Sequence, residues 1–148
     1  MKKTLIVLMS VLFILVATNA VAQQEDSKGC KDHPLFPTRM PDYRIAACKV
    51  EAFVVYEFSS VKGPKTPVEG KLTFLTYRFT GERGNEPSGL AVVRNYENAF
   101  RKVGGTILQS EPQRWVNGKI VKDGQETWFE VMKGNSLIWL HIVEKKEM

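Results

Sequence analysis

The last third of this 148-residue chain alternates between apolar and polar side chains and is interrupted by two short turn sequences. Asp123-Gly124 is a type I′ hairpin signal between the segments 119–122 and 125–132. Gly134-Asn135 predicts a second two-residue turn, of type II′, with Lys133 opposite Ser136. Strands joined by such turns pair as an antiparallel meander, so this region is predicted to form a sheet.

Counting outward from the second turn predicts which side chains share a face of that sheet. The apolar face, expected to be core, pairs Val131 with Ile138, Phe129 with Leu140, and Thr127 with Ile142. The other face pairs Glu130 with Trp139 and Trp128 with His141. A slip of one residue would mix the two faces, so the pattern favours this register.

Three further strands and one helix are predicted before the meander. Residues 50–58 alternate as a half-buried strand, residues 71–79 form a strand with apolar side chains on both faces, and residues 106–109 form a short one. The helix has an apolar stripe with spacings of three and four: Leu90, Val93, Tyr96, Phe100 and Val103. Ser88 is a candidate N-cap, with Glu86 as the alternative, and Gly104 is the expected C′ residue.

The predicted fold class is α+β. An antiparallel or mixed sheet of about six strands would carry the single amphipathic helix on its Phe129, Val131, Ile138 and Leu140 face. The length of the chain favours one domain, made of residues 50–148 together with a polar and proline-rich arm at residues 23–49.

Residues 1–22 are predicted to be a signal peptide. Lys2 and Lys3 precede an apolar run at residues 5–17 that is too short to span a bilayer, and Ala20-Val21-Ala22 is a small-x-small cleavage site. The alternative is an uncleaved anchor. Cleavage would leave a chain that begins at Gln23, is located in the periplasm or secreted, and has no membrane-spanning helix. Loss of two lysines would reduce the net charge from +5 to +3, which does not indicate a nucleic-acid partner.

Cys30 and Cys48 are the only two cysteines. Export would favour a disulfide between them, because disulfides persist outside the cytosol. That bond would fix the proline-rich arm to the first strand. The alternative is a metal site with Cys30, His33 and Cys48, but no second ligand pair follows at zinc spacing.

Catalytic and cofactor patterns are weak in this sequence. No serine lies in a nucleophile elbow, Gly104-Gly105 ends a helix where a phosphate loop would begin one, and a disulfide would remove both thiols. Glu126 and Glu130 are interpreted as neighbouring surface carboxylates. We therefore expect no enzyme activity and no cofactor, with a small secreted enzyme as an alternative.

The candidate interaction site is the tryptophan face, formed by Trp128, Leu137, Trp139 and His141. An aromatic sheet face of this kind can bind a glycan or a peptide, or it can be covered by another segment of the chain. The arm would cover it only in part. We therefore expect self-association of the isolated chain through Trp128, Leu137 and Trp139.

Three segments resemble the domain that precedes the peptidoglycan-binding module in certain OmpA-family envelope proteins. They are residues 31–45, 94–106 and 127–148. The most specific parts are Asp32-His33-Pro34-Leu35 with Arg39-Met40-Pro41, Asn95-Tyr96-Glu97-Asn98-Ala99 and Ile142-Val143-Glu144. The resemblance covers nearly all of the chain after the signal peptide. It implies a non-enzymatic accessory or interaction domain whose partner is an envelope protein or a cell-wall component.

Members of that family continue with a helix, a strand, a linker and the module that grips the peptidoglycan stem peptide through an Asp and an Arg. The sequence ends at Met148, and that Asp/Arg motif has no match in it. Peptidoglycan binding is therefore not transferred to any residue of this chain. A truncated or split reading frame is one explanation of the difference.

Overall fold

The computed structural model describes residues 24–147, so the predicted signal peptide and its cleavage site lie outside the described residues. Seven elements follow one another along the chain: β1 (Tyr43–Phe58), β2 (Thr66–Phe79), α1 (Gly89–Lys102), β3 (Thr106–Glu111), β4 (Trp115–Lys122), β5 (Gln125–Lys133) and β6 (Leu137–Lys145). The strands form one sheet in the order β1-β2-β6-β5-β4-β3, and every neighbouring pair is antiparallel.

The predicted α+β class is wrong. Half of the described residues are in strands and 11% are in the helix, so the fold is one antiparallel sheet with a minor helix. The main reason is the length of the first two strands, 16 and 14 residues. β1 begins at Tyr43, seven residues before the predicted start, and so takes the end of the arm into the sheet. β4 likewise begins at Trp115 instead of residue 119.

One face of the sheet, called here the helix-side face, carries α1 over β3, β4 and β5. Phe129, Val131, Ile138 and Leu140 are fully buried there, which confirms the predicted packing face. The Ser88 hydroxyl accepts the Ala91 N–H at 3.1 Å, and this confirms the N-cap.

The buried stripe of the helix differs from the predicted one at its ends. Leu90 and Val103 are 44% and 43% exposed. The buried side chains lie one turn further in: Val92, Val93, Tyr96, Glu97 and Phe100. Both ends of the 14-residue helix therefore extend past the core, and only its central two turns pack on the sheet.

The two predicted turns of the meander have different outcomes. Asp123 and Gly124 both have positive φ, 52° and 77°, which confirms the type I′ hairpin. The second turn is longer than predicted, because Lys133 pairs with Ile138 and the Gly134 N–H donates to the Leu137 carbonyl at 2.9 Å.

The longer turn shifts the predicted register by two residues. The observed pairs are Val131 with Leu140, Phe129 with Ile142, Thr127 with Glu144, Glu130 with His141, Trp128 with Val143, and Met132 with Trp139. A shift of two leaves every side chain on its predicted face, because side chains alternate with a period of two. The predicted faces are therefore correct and the predicted partners are wrong.

The arm lies on the helix-side face, where a disulfide and a buried aromatic ring are among its attachments. Cys30 and Cys48 form the predicted disulfide, with an S–S distance of 2.09 Å and a Cα–Cα distance of 5.7 Å. Phe36 is 2% exposed and packs against Tyr96, Phe100 and Phe129. The arm therefore covers none of the tryptophan face, which lies on the opposite side of the sheet, called here the reverse face.

The far half of the β1–β2 hairpin covers the reverse face instead. A bulge between Glu51 and Val54 interrupts β1, and Gly70 of β2 passes so close to β6 that a Cβ would lie 2.1 Å from the Glu144 carbonyl oxygen. Beyond this point the hairpin folds back over the sheet. It buries a second core of Phe58, Val68, Leu72 and Val143, with Val54, Tyr56, Phe74 and Trp128 packed against it.

Candidate interaction site

A buried carboxylate on the reverse face joins the folded-back hairpin to the sheet. Glu130 is 1% exposed, and it accepts the Tyr56 hydroxyl and the Ser59 N–H, both at 2.7 Å. The Asn117 amide donates to the Ser59 carbonyl at 2.7 Å. Next along the loop, the Val61 N–H donates to the Gln109 side chain at 2.7 Å. Residues 56–61 are therefore bonded in turn to β5, β4 and β3.

This arrangement corrects the interpretation of Glu130 as a surface carboxylate. Its oxygens accept hydrogen bonds from β1 and from the loop after it, so the carboxylate holds the folded-back hairpin on the sheet. Burial and the neighbouring Glu130 charge raise the pKa of Tyr56, which keeps its hydroxyl a donor. Glu126 remains half-buried, and the Trp128 indole N–H donates to it.

His141 lies between two aromatic rings on the reverse face. Its ring stacks on Tyr56 at 4.6 Å and on Phe74 at 4.5 Å between centroids, with interplanar angles of 28° and 20°. Burial lowers the pKa of His141 to about 4, although the Glu130 charge acts in the opposite direction. The side chain is therefore neutral near pH 7, and its buried Nδ1 has no hydrogen-bond partner within the described residues.

The structure divides the predicted tryptophan face into a covered and an uncovered part. Trp128 contacts Phe58 at 5.2 Å between centroids, with the Lys119 ammonium 5.4 Å from its ring centre, so Trp128 and His141 lie under the hairpin. Leu137 and Trp139 are half-buried at the other end of β6. The alternative that another segment of the chain covers this face therefore holds at its Trp128 end, where the segment is the β1–β2 hairpin and not the arm.

Sequence reasoning missed Trp115, which lies on the same face and is 8% exposed. It pairs with Met132 of β5, and Met132 pairs with Trp139 of β6. The signal was present in the alternation of residues 115–120, where Val116, Gly118 and Ile120 share the helix-side face. The predicted strand begins at residue 119, so the prediction leaves Trp115 outside the sheet.

The arm carries a separate cluster of charges on the helix side. Arg39 forms ion pairs with Asp26 and Asp32, and Asp32 accepts the Tyr77 hydroxyl at 2.9 Å. The hydrogen bond from Arg39 holds the pKa of Asp26 below its usual value, despite the opposing effect of burial. Asp26 also accepts the Ile45 N–H at 2.7 Å. These contacts attach the start of the described chain to β1.

The alternative metal site at Cys30, His33 and Cys48 is not formed, because the disulfide uses both sulfurs. His33 Nδ1 accepts the Leu35 N–H at 3.2 Å. Across residues 24–147, no group of three or more His, Cys, Asp or Glu side chains is placed to hold a metal ion. In the same residues no helix is both long enough and apolar enough to cross a membrane.

Several large apolar side chains of the sheet are exposed elsewhere, and three of them lie on β1. Val50, Phe53 and Val55 are 60%, 37% and 57% exposed, and β1 is an edge strand. The candidate surfaces for binding are thus the uncovered end of the tryptophan face and the free edge of β1.

No protein-family model matches the sequence, and no curated protein matches it significantly.

Proposed function

We propose that this chain is an exported, non-enzymatic interaction domain of the cell envelope, located in the periplasm or associated with the outer membrane. The observation that carries the proposal is the Cys30–Cys48 disulfide, which fixes the arm to β1. Disulfides of this structural kind persist in oxidising compartments. The signal-peptide pattern of residues 1–22 and the resemblance to the OmpA-family domain support the same location.

The use of the polar side chains supports a binding role rather than turnover. Glu130, Asp32 and His141 each hold two segments of the chain together. The carboxylate oxygens of Glu130 and Asp32 accept hydrogen bonds from donors of the protein itself, and the His141 ring lies between two aromatic rings. A general acid or base must instead reach a substrate atom.

A second candidate is a glycan- or peptide-binding protein that uses the uncovered end of the tryptophan face. The observation that favours it is the half-buried state of Leu137 and Trp139, next to Met132 and outside the folded-back hairpin. Trp139 is the one residue of that group with a large flat ring on which a sugar or a peptide could pack.

The location is tested by expressing the full chain in a Gram-negative host and blocking thiols with an alkylating agent before lysis. We expect a periplasmic protein that begins at Gln23 and carries no alkylated cysteine. A cytoplasmic protein with two alkylated cysteines would contradict the proposal.

The binding role is tested by incubating the purified oxidised protein with sacculi and with envelope extracts, alongside screens for hydrolase activity. We expect retention on one of these fractions without turnover. Loss of retention in Trp139→Ala, with Trp128→Ala as the covered control, would favour the second candidate. Turnover that disappears in His141→Ala would show that the chain is an enzyme.

A further inference from the structure

The outer edge of β1, the side away from β2, is occupied only at its start. The Ser27 N–H donates to the Ile45 carbonyl at 2.8 Å, and the Ser27 hydroxyl donates to the Ala46 carbonyl at 2.5 Å. From residue 47 to residue 57, no hydrogen bond from any residue in the range 24–147 reaches this edge. A strand edge of this length, with Val50 60% exposed, is a template for pairing with another strand.

The start of the described chain lies beside β1 only as far as Cys48. Gln24 bonds to Arg44, Asp26 to Ile45, and Cys30 to Cys48, so residues 24–30 run alongside β1 in the same direction. After Cys30 the arm crosses the helix-side face to Phe36. These paths favour a strand from another molecule as the occupant.

The charges on either side of Val50 limit which strand can pair with the outer edge of β1. Lys49 and Glu51 lie on the same face of β1, with Lys49 Nζ 2.8 Å from Glu51 Oε1. Residues directly opposite each other in an antiparallel pair share a face. When two copies of β1 pair symmetrically, one residue must therefore lie opposite the same residue of the other copy, and the two-fold axis runs between them. An axis at Lys49 would oppose two lysines, and an axis at Glu51 would oppose two glutamates. An axis at Val50 places Lys49 opposite the partner's Glu51 twice.

We propose that two copies of this chain pair through the outer edges of β1, antiparallel and centred on Val50. The ladder would join residues 48–52 of each copy, from just beyond the Ser27 contact to the first residue of the bulge that follows Glu51. Val50 would then meet its own copy on the helix-side face. The two six-stranded sheets would become one sheet of twelve strands, and the two-fold contact closes at the dimer.

The size of this contact predicts a weak dimer. A ladder of about five residues buries less than the ~1,200 Å² of a standard interface, so we expect a dissociation constant of roughly 10 µM or weaker. Lys49 is 63% exposed and Glu51 38%, so their ion pairs set register and partner more than affinity. The proposal concerns the purified protein and is independent of where the chain is located in the cell.

The test is sedimentation of the oxidised chain over a range of concentrations at low salt. Lys49→Glu and Glu51→Lys should each raise the dimer dissociation constant about tenfold or more, because each puts like charges opposite one another twice. A mixture of the two single variants should restore association, since each supplies the charges the other lacks. The double variant K49E/E51K should also associate. Lys122→Glu, an equal charge change at the far end of β4, is the control.

Four results would overturn the proposal. They are a wild-type chain that stays monomeric at all concentrations tested, a mixture that remains monomeric, a Lys122→Glu variant that weakens association as much as Lys49→Glu, and species larger than a dimer. Circular dichroism and thermal melting of each variant show whether it is folded. The mixture keeps the test valid even if one variant is less stable, because restored association requires both chains to be folded.

Discussion

The Glu130 carboxylate holds together parts of the chain that are more than 70 residues apart in sequence. Its two bonds, from Tyr56 and Ser59, have sequence separations of 74 and 71. A buried carboxylate is costly unless its oxygens are satisfied, and here satisfaction requires the hairpin to be folded over the reverse face. Glu130 therefore stabilises the folded-back hairpin and favours this one position of it on the reverse face.

Glu130→Ala should lower the free energy of unfolding by roughly 2–4 kcal/mol, because the Tyr56 hydroxyl and the Ser59 N–H would both lose their acceptor. Urea unfolding followed by tryptophan fluorescence measures the change. Glu57→Ala, on the exposed side of the same strand, should cost less than about 0.5 kcal/mol. Equal losses of unfolding free energy in the two variants would show that Glu130 does not hold the hairpin on the sheet.

His141 should make the fold sensitive to acid. Its pKa is about 4 in the folded chain, against the ordinary histidine pKa of 6.5 in the unfolded chain, so between pH 6.5 and pH 4 the unfolded chain binds a proton that the folded chain does not. The stability is therefore full above pH 6.5 and is lost as the pH falls toward 4, by up to about 3 kcal/mol.

The variant His141→Phe keeps an aromatic ring between Tyr56 and Phe74 and removes the titration. Its unfolding free energy, measured at pH 7 and pH 4.5, should fall less with acid than that of the wild type. Burial also lowers the pKa of His33, so His33→Gln is measured beside it. An acid dependence unchanged in His141→Phe would contradict the enclosed, neutral histidine.

Among the elements, the arm depends most on contacts outside itself. It has no helix or strand between residues 24 and 42, and it is held by the disulfide, by Phe36 and by the Arg39 ion pairs. A segment with so few backbone hydrogen bonds of its own stays ordered only through such attachments. The cross-link also limits how far the arm can separate from β1 in the unfolded chain.

Replacing both Cys30 and Cys48 with alanine should lower the free energy of unfolding by roughly 2–5 kcal/mol. Reduction of the wild type should have a similar effect, which serves as the matched control. Urea unfolding of the oxidised, reduced and alanine forms measures the difference. A loss below about 1 kcal/mol would show that Phe36 and the ion pairs hold the arm without the covalent link.

Local signals predicted the short-range elements well. Asp123-Gly124 gave the first hairpin, and Ser88 gave the start of the helix, since each acts through its own backbone. The second hairpin was predicted with the right faces and a register wrong by two. Periodicity specifies faces, whereas the length of the turn specifies partners, and Gly134-Asn135 permits more than one length.

At the scale of the whole molecule, the decisive feature is the folding back of the β1–β2 hairpin. No local pattern indicates it, because it depends on contacts between Tyr56 and Glu130 and between Val61 and Gln109, far apart in sequence. The sequence did show that both faces of β2 are apolar, and the structure uses both faces. With Trp128 and His141 covered, the exposed edge of β1 becomes the surface to which self-association is assigned.

Hydrogen–deuterium exchange of the oxidised chain at low and high concentration tests this assignment most directly. We predict that backbone amides of residues 48–52 become slower to exchange at high concentration, while the region around Leu137 and Trp139 is unchanged. Slower exchange around Leu137 and Trp139, with residues 48–52 unchanged, would show that the tryptophan face is the contact surface and would contradict the account.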